Sequence, residues 1–184
     1  MKLIIKAMMP FLFLLFGCGA LLAQQPMQEY RTMRGNMIIT GKVGDTALIM
    51  QSNRLIISLN YETAELIIRV NKKSVSPGYG STFSESPANH DTEVLFKGKL
   101  GLDYINTQSH PPLDFKVEGY IVNNSDTQTM ITGTGHLEHI FAGEYACILD
   151  LDFEVSPELL DINWPGEEKV TIQIIQTILK RVNE

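Results

Sequence analysis

Between Leu113 and Val155, apolar and polar residues alternate with a period of two in successive runs separated by Gly- and Asn-bearing turns. In the first run Leu113, Phe115, Val117 and Ile121 share a parity with Gly119, and Asp114, Lys116 and Glu118 take the other. In the last run Tyr145, Cys147, Leu149, Leu151, Phe153 and Val155 alternate with Asp150, Asp152 and Glu154. A helix would mix the two sets around its circumference, whereas a strand sends them to opposite faces. The stretch therefore predicts an antiparallel meander with one apolar face.

The first half of the chain carries the same signal in shorter pieces. Met37–Val43, Thr46–Gln51 and Arg54–Asn60 are divided by Gly44-Asp45 and Ser52-Asn53, two-residue junctions of the kind that close β-hairpins. Leu55, Ile57 and Leu59 share a parity, as do Leu66, Ile68 and Val70 in the next run. From Asn71 to Asp91 the period is lost among Ser, Gly, Pro and Asn, which predicts a long loop and, in a compact domain, a candidate mouth over Ser74 to Asp91. Glu93–Phe96 and Lys99–Ile105 are apolar again, and Pro111 and Pro112 end the pattern.

Past Val155, Ser156-Pro157-Glu158 predicts a capped helical turn through Leu160. The terminal segment fits two periods. Ile174, Ile175, Ile178, Leu179 and Val182 would line a helix, while Val170, Ile172, Ile174, Ile178 and Val182 share a strand parity. Its density of Val, Ile and Thr favours a strand, because β-branching restricts rotamers in a helix. The sum is an all-β, antiparallel fold of about eight or nine strands with a short helical turn, a number at which a barrel closes around a modest cavity.

The first residues alter the picture of where this domain works. Lys2 and Lys6 precede an apolar run interrupted by Pro10, Gly17 and Gly19, the pattern of a signal peptide cut after Ala23. A lipobox-like cut before Cys18, leaving a lipoprotein, is disfavoured by Phe16. The expected organisation is a signal peptide over 1–23, a flexible leader over 24–36 and one domain over 37–184, in a periplasmic or secreted protein. The net charge of −6 argues against nucleic acid and anionic membrane surfaces as partners. Only Cys18 and Cys147 occur, so no internal disulfide is expected, and Cys147 falls on an apolar parity as a small buried hydrophobe.

Candidate chemistry is sparse. His136 and Glu138 would share a strand face that His139 leaves, which is too few ligands for zinc; no metal and no cofactor are expected. Asp150, Asp152 and Glu154 read as a solvated outer row rather than a calcium or acid-base site. Ser109, His110 and Asp114 have the residue types of a triad without a strained nucleophile turn, so no catalytic residue is assigned and no enzyme is expected. The apolar inner face is what remains, either as a packed core or as the lining of a cavity.

Some runs also resemble the YceI-like family of exported bacterial proteins. These are Ala64–Val75 (AELIIRVNKKSV), His90-Asp91 to Leu100, Pro112–Gly119 (PLDFKVEG) and Gly135-His136-Leu137 to Gly143. The resemblance implies a lipocalin-like barrel holding a polyisoprenoid or other lipid tail. It would place that tail along Leu100, Leu102, Tyr104, Phe115, Val117, Leu149, Leu151 and Phe153. The function expected is a non-enzymatic binder of an apolar, lipid-like small molecule. The alternative is a ligand-free envelope interaction or structural domain, with an envelope protein or a second copy of the chain as partner.

Overall fold

The computed structural model describes residues 29–78, 93–103, 105, 111–122, 128–141, 146–160, 164 and 169–182. The strands are β1 (Glu29–Val43), β2 (Thr46–Asn60), β3 (Glu65–Asn71), β4 (Ser76–Pro77), β5 (Glu93–Leu100), β6 (Leu113–Val122), β7 (Gln128–Phe141), β8 (Ala146–Val155) and β9 (Val170–Arg181). All pairings are antiparallel. They run β1-β9-β8-β7-β6-β5-β3-β2, and β2 pairs back with β1, so eight strands close a barrel. The extra strand β4 pairs with Met50 and Gln51 of β2. The barrel's upper end is where β1 leaves at Val43 and β5 enters at Glu93; its lower end is where β1 begins and β5 finishes.

The meander forms as its alternation dictates. Phe115, Val117 and Ile121 of β6 and Cys147, Leu149, Leu151, Phe153 and Val155 of β8 are buried, and the alternate charged residues face out. Pro157–Leu160 makes a single 3-10 turn where the helical turn is expected. Glu93 to Leu100 is one strand rather than the first of two, and Gly98 sits inside it. Ile105 lies beyond that strand and is fully buried, its N–H donating to the Tyr61 carbonyl (3.3 Å) at the lower end.

Three expectations are corrected on the adjoining strands β9, β1 and β2. Ser52-Asn53 is no hairpin, since β2 runs through it. The register against β1 slips between Gly35↔Leu55 and Met37↔Ser52, so a bulge switches the inward parity from Leu48 and Met50 to Leu55, Ile57 and Leu59. The Ser52 hydroxyl accepts the Arg54 N–H (3.3 Å) that the bulge frees from the ladder, and pairs with the Ser74 hydroxyl at 2.7 Å. Residues 29–36 are strand, not leader: Tyr30 is buried and stacks on Tyr61 with centroids 4.0 Å apart. A second slip, between Thr32 and Gly35, hides that strand from a period-two reading. In β9 the slip lies opposite Leu149–Leu151, and Gln176 takes φ 45°. Thr177 and Leu179 therefore turn inward, while Ile178 and Val182, expected inside, are 48% and 39% exposed. The Asp150 carboxylate accepts the Gln176 N–H at 2.6 Å and holds that turn of the backbone.

Candidate ligand cavity

The inner wall of β5, β6 and β7 is built from bare backbone covered by rings. Gly98 stands opposite Gly119, and a Cβ on either would fall closer than 3.0 Å to the Phe96 ring. A Cβ on Gly133 would meet Phe153 Cδ1 at 2.6 Å, and one on Gly135 would meet the Phe115 ring and Leu151 Cδ2 at 2.6 Å. The three phenylalanines thus lie along the wall over neighbouring glycines instead of pointing at the barrel axis. Phe96 and Phe153 meet at 5.3 Å between centroids, tilted by 59°. Glycine at these positions serves close approach and sheet curvature.

Packing along the axis is uneven. At the lower end Leu59, Tyr61, Leu66, Leu137, Cys147, Leu149 and Leu179 are fully buried, and the Tyr30–Tyr61 stack and Ile105 close the barrel. At the upper end Ile68, Val70, Val94, Phe96, Ile121, Ile131, Phe153 and Ile172, all inward-facing, keep 4–9% of their surface. The accessible part of the upper end is the side formed by β3, β5, β6 and β7; across from it Ile39, Met50, Val75 and Val170 are at 0–2% and Trp164 lies over Gly41. Lys72, in the 3-10 turn after β3, is a buried cation at that upper end.

The residues singled out from the sequence distribute accordingly. Leu100, Val117, Leu149 and Leu151 belong to the tightly packed part, at 0–1% exposure. Phe115 and Phe153 belong to the ring-covered wall, and Leu102 packs against the core from its margin. Tyr104 lies outside the described residues, as do the expected signal peptide over 1–23, most of the candidate mouth, Ser109, His110 and His90. Of that mouth, Ser74 to Gly78 lies against β2, with Gly78 N–H donating to the Ile49 carbonyl at 2.8 Å. The upper-end lining of Ile68, Val70, Val94, Ile121, Ile131 and Ile172 was not assigned to a tail. The shared parity of Ile68 and Val70, of Ile121 and of Ile172 is visible in the sequence, but their height along the axis is not.

The described residues of the other constellations lie on or beside the sheet, each with partners of its own. His136 and Asp114 pair across β6 and β7 on the outer face at 2.7 Å, while His139 points inward with its ring edge towards Tyr61. Among the described residues no three His, Cys, Asp or Glu side chains are grouped to hold a metal. The carboxylate row is outward and partnered: Asp150 with the Gln176 N–H, Asp152 with Gln173 Nε2 (2.8 Å), Glu154 with Lys169 Nζ (2.6 Å). Burial pushes the Cys147 thiol up to about 12, so it stays protonated as an inert core group, and burial also raises the Tyr61 hydroxyl.

Neither the known family models nor the curated proteins give a sequence match to this chain. Among solved structures, the fold is similar to a polyisoprenoid-binding domain from Saccharophagus degradans described as implicated in plant cell wall breakdown. The match has TM-score 0.58 and 7% identity over 85% of this chain and 99% of that one. At that identity the likeness is one of fold. The chain is an all-β protein, a closed eight-stranded antiparallel barrel of lipocalin-like form with one short extra strand.

Proposed function

We propose that this protein is an exported, non-enzymatic member of the YceI-like proteins that holds a long apolar molecule of polyisoprenoid type in the upper half of its barrel. The observation that carries the reading is the contrast between the sealed lower end and the more accessible aliphatic and aromatic lining that β3, β5, β6 and β7 present at the upper end. Binding needs no catalytic group: each methylene moved from water to this lining contributes about 0.8 kcal/mol, so a few isoprene units suffice for tight capture. The glycine-backed rings favour a slender, flexible guest, because they keep side-chain bulk against the wall. The fold neighbour's polyisoprenoid ligand and the signal-peptide pattern of residues 1–23 agree with an exported lipid binder.

Native mass spectrometry of protein purified without detergent, followed by organic extraction, tests this. A co-purifying apolar species, displaced by added polyisoprenoid, is the expected result. Protein that carries nothing and takes up no polyisoprenoid would remove the carrier reading and leave a ligand-free envelope domain.

A further inference from the structure

At the upper end the Ser52 and Ser74 hydroxyls are fully engaged: they pair with each other, Ser52 accepts the Arg54 N–H, and Ser74 donates to the Asn71 carbonyl at 2.6 Å. The Trp164 indole is not. Its Nε1 is buried and has no hydrogen-bond partner among the described residues. A Cβ on Gly41 would meet Trp164 Cζ2 at 2.6 Å and Cε2, the atom that carries Nε1, at 3.0 Å, with Val170 Cγ1 also at 3.0 Å. Gly41 shares the inward parity of Met37 and Ile39 and pairs with Leu48, so the edge of the indole that bears the N–H is set against bare backbone on the inner side of β1. Leaving a buried N–H unsatisfied costs more than a hydrogen bond contributes, so such a group in a native fold calls for a partner.

We propose that Trp164 recognises the polar end of the guest: on uptake the indole tips from its seat on Gly41 and its N–H donates to an oxygen of the head group. The proposal rests on the carrier reading and narrows the guest from a bare hydrocarbon to a chain that ends in an oxygen acceptor. The lower end is sealed, so a guest enters tail first and its head stays at the upper end, where Trp164 stands across from the lining of β3, β5, β6 and β7. Because the seat is a glycine, the ring is held there by non-directional contact and can leave without a shift of the backbone. A hydrocarbon gains nothing from that step. An oxygen-ended chain gains a hydrogen bond and removes the penalty of the unpaired donor, which is the difference in affinity that selection between the two requires.

The chain contains one tryptophan, so fluorescence reads this residue directly. The whole protein, freed of co-purified lipid, is titrated with geranylgeraniol and with the hydrocarbon that lacks its hydroxyl. Uptake of the alcohol should shift the emission to the red, as the N–H leaves its apolar seat and bonds to oxygen, and the hydrocarbon should shift it little. Competition against a radiolabelled guest gives both affinities. Wild type should favour the alcohol about tenfold, and Trp164→Phe, which keeps a ring without the donor, should bring that ratio to about one. Gly41→Ala, whose Cβ takes the seat of the indole, should emit further to the red before any guest is added and should keep the preference. Circular dichroism shows which variants fold, and the wild-type ratio decides alone should neither do so. The proposal is overturned by equal affinities in wild type, by a preference that survives Trp164→Phe, or by emission that does not move as the alcohol is taken up. Equal uptake of alcohol and hydrocarbon leaves the carrier reading standing, whereas uptake of neither removes both.

Discussion

Adding one methyl group to the glycine wall separates two kinds of tight contact. In Gly119→Ala the new Cβ would fall closer than 3.0 Å to the Gly98 Cα, the Lys97 carbonyl oxygen and Phe96 Cζ. The first two are backbone of the paired strand, so β5 and β6 must part. Separating them sacrifices about two ladder hydrogen bonds at roughly 1 kcal/mol each, and overpacking adds about 1–3 kcal/mol. Restricting the unfolded chain returns about 0.4–1 kcal/mol. The net loss is about 2–4 kcal/mol. In Gly135→Ala the clashes, at 2.6 Å, are with the Phe115 ring and Leu151 Cδ2, which are side chains. A double-mutant cycle in urea therefore distinguishes the sites. Phe115→Leu should recover about 1 kcal/mol or more of the Gly135→Ala loss, beyond additivity, whereas Phe96→Leu should recover little of the Gly119→Ala loss. A Gly119→Ala variant within about 0.5 kcal/mol of wild type, or one rescued by Phe96→Leu, would refute the account of rings laid on bare backbone.

Other substitutions read the remaining features. Ile178→Lys should change stability by less than about 0.5 kcal/mol, since the β9 bulge turns that side chain outward, whereas Leu179→Lys should prevent folding; thermal melts of both check the register. The Cys147 thiol is raised in the folded state, so its contribution is complete below its ordinary value near 9 and is lost as pH rises towards about 12. Urea midpoints should accordingly fall above pH about 9, and Cys147→Ala should flatten the onset while Tyr61 keeps a later decline; an unaltered profile would count against thiol burial. Ile131→Trp, placed opposite Gly119 in the loosely packed half, should fold and lose guest uptake, whereas Leu149→Trp in the sealed half should destabilise by more than about 2 kcal/mol, as denaturation and uptake assays would show.

The sequence was most legible where periodicity and chemistry agree. The alternation of Asp150, Asp152 and Glu154 with Leu149, Leu151 and Phe153 left one arrangement for β8, and β-branching correctly marked the last segment as strand. Bulges were the main source of error. A parity switch such as that from Met50 to Leu55 is written identically by a hairpin and by a bulge, and the polar pair Ser52-Asn53 suits both. The same ambiguity hid the first turns of β1 and misplaced Ile178. For the site, parity gave the radial direction of Phe115, Val117, Leu149 and Leu151 correctly, since all are inward. Height along the axis depends on strand stagger, to which a single strand's pattern is blind. Hence Leu149 and Val94 look alike in the sequence although one belongs to the sealed end and the other to the loose end.

The two curvature devices bear on how a guest would enter. Register slips bend β9, β1 and β2, and the Gly98–Gly119 pair with Gly133 bends β5, β6 and β7, so the wall is shaped by backbone and leaves side-chain bulk to be distributed along the axis. At the lower end that bulk is the Tyr30–Tyr61 stack, Leu137 and Ile105, with the Ile105 N–H tied to the Tyr61 carbonyl. Passage there would require breaking a hydrogen bond and unstacking buried rings together. At the upper end Trp164 lies over Gly41 and the Ser52 and Ser74 hydroxyls pair at 2.7 Å on the side of β1 and β2, while the side formed by β3, β5, β6 and β7 is aliphatic and Phe, so a guest entering along it need only displace weak, non-directional contacts. A carrier built this way exchanges its cargo through one end, along the side where β3, β5, β6 and β7 line it.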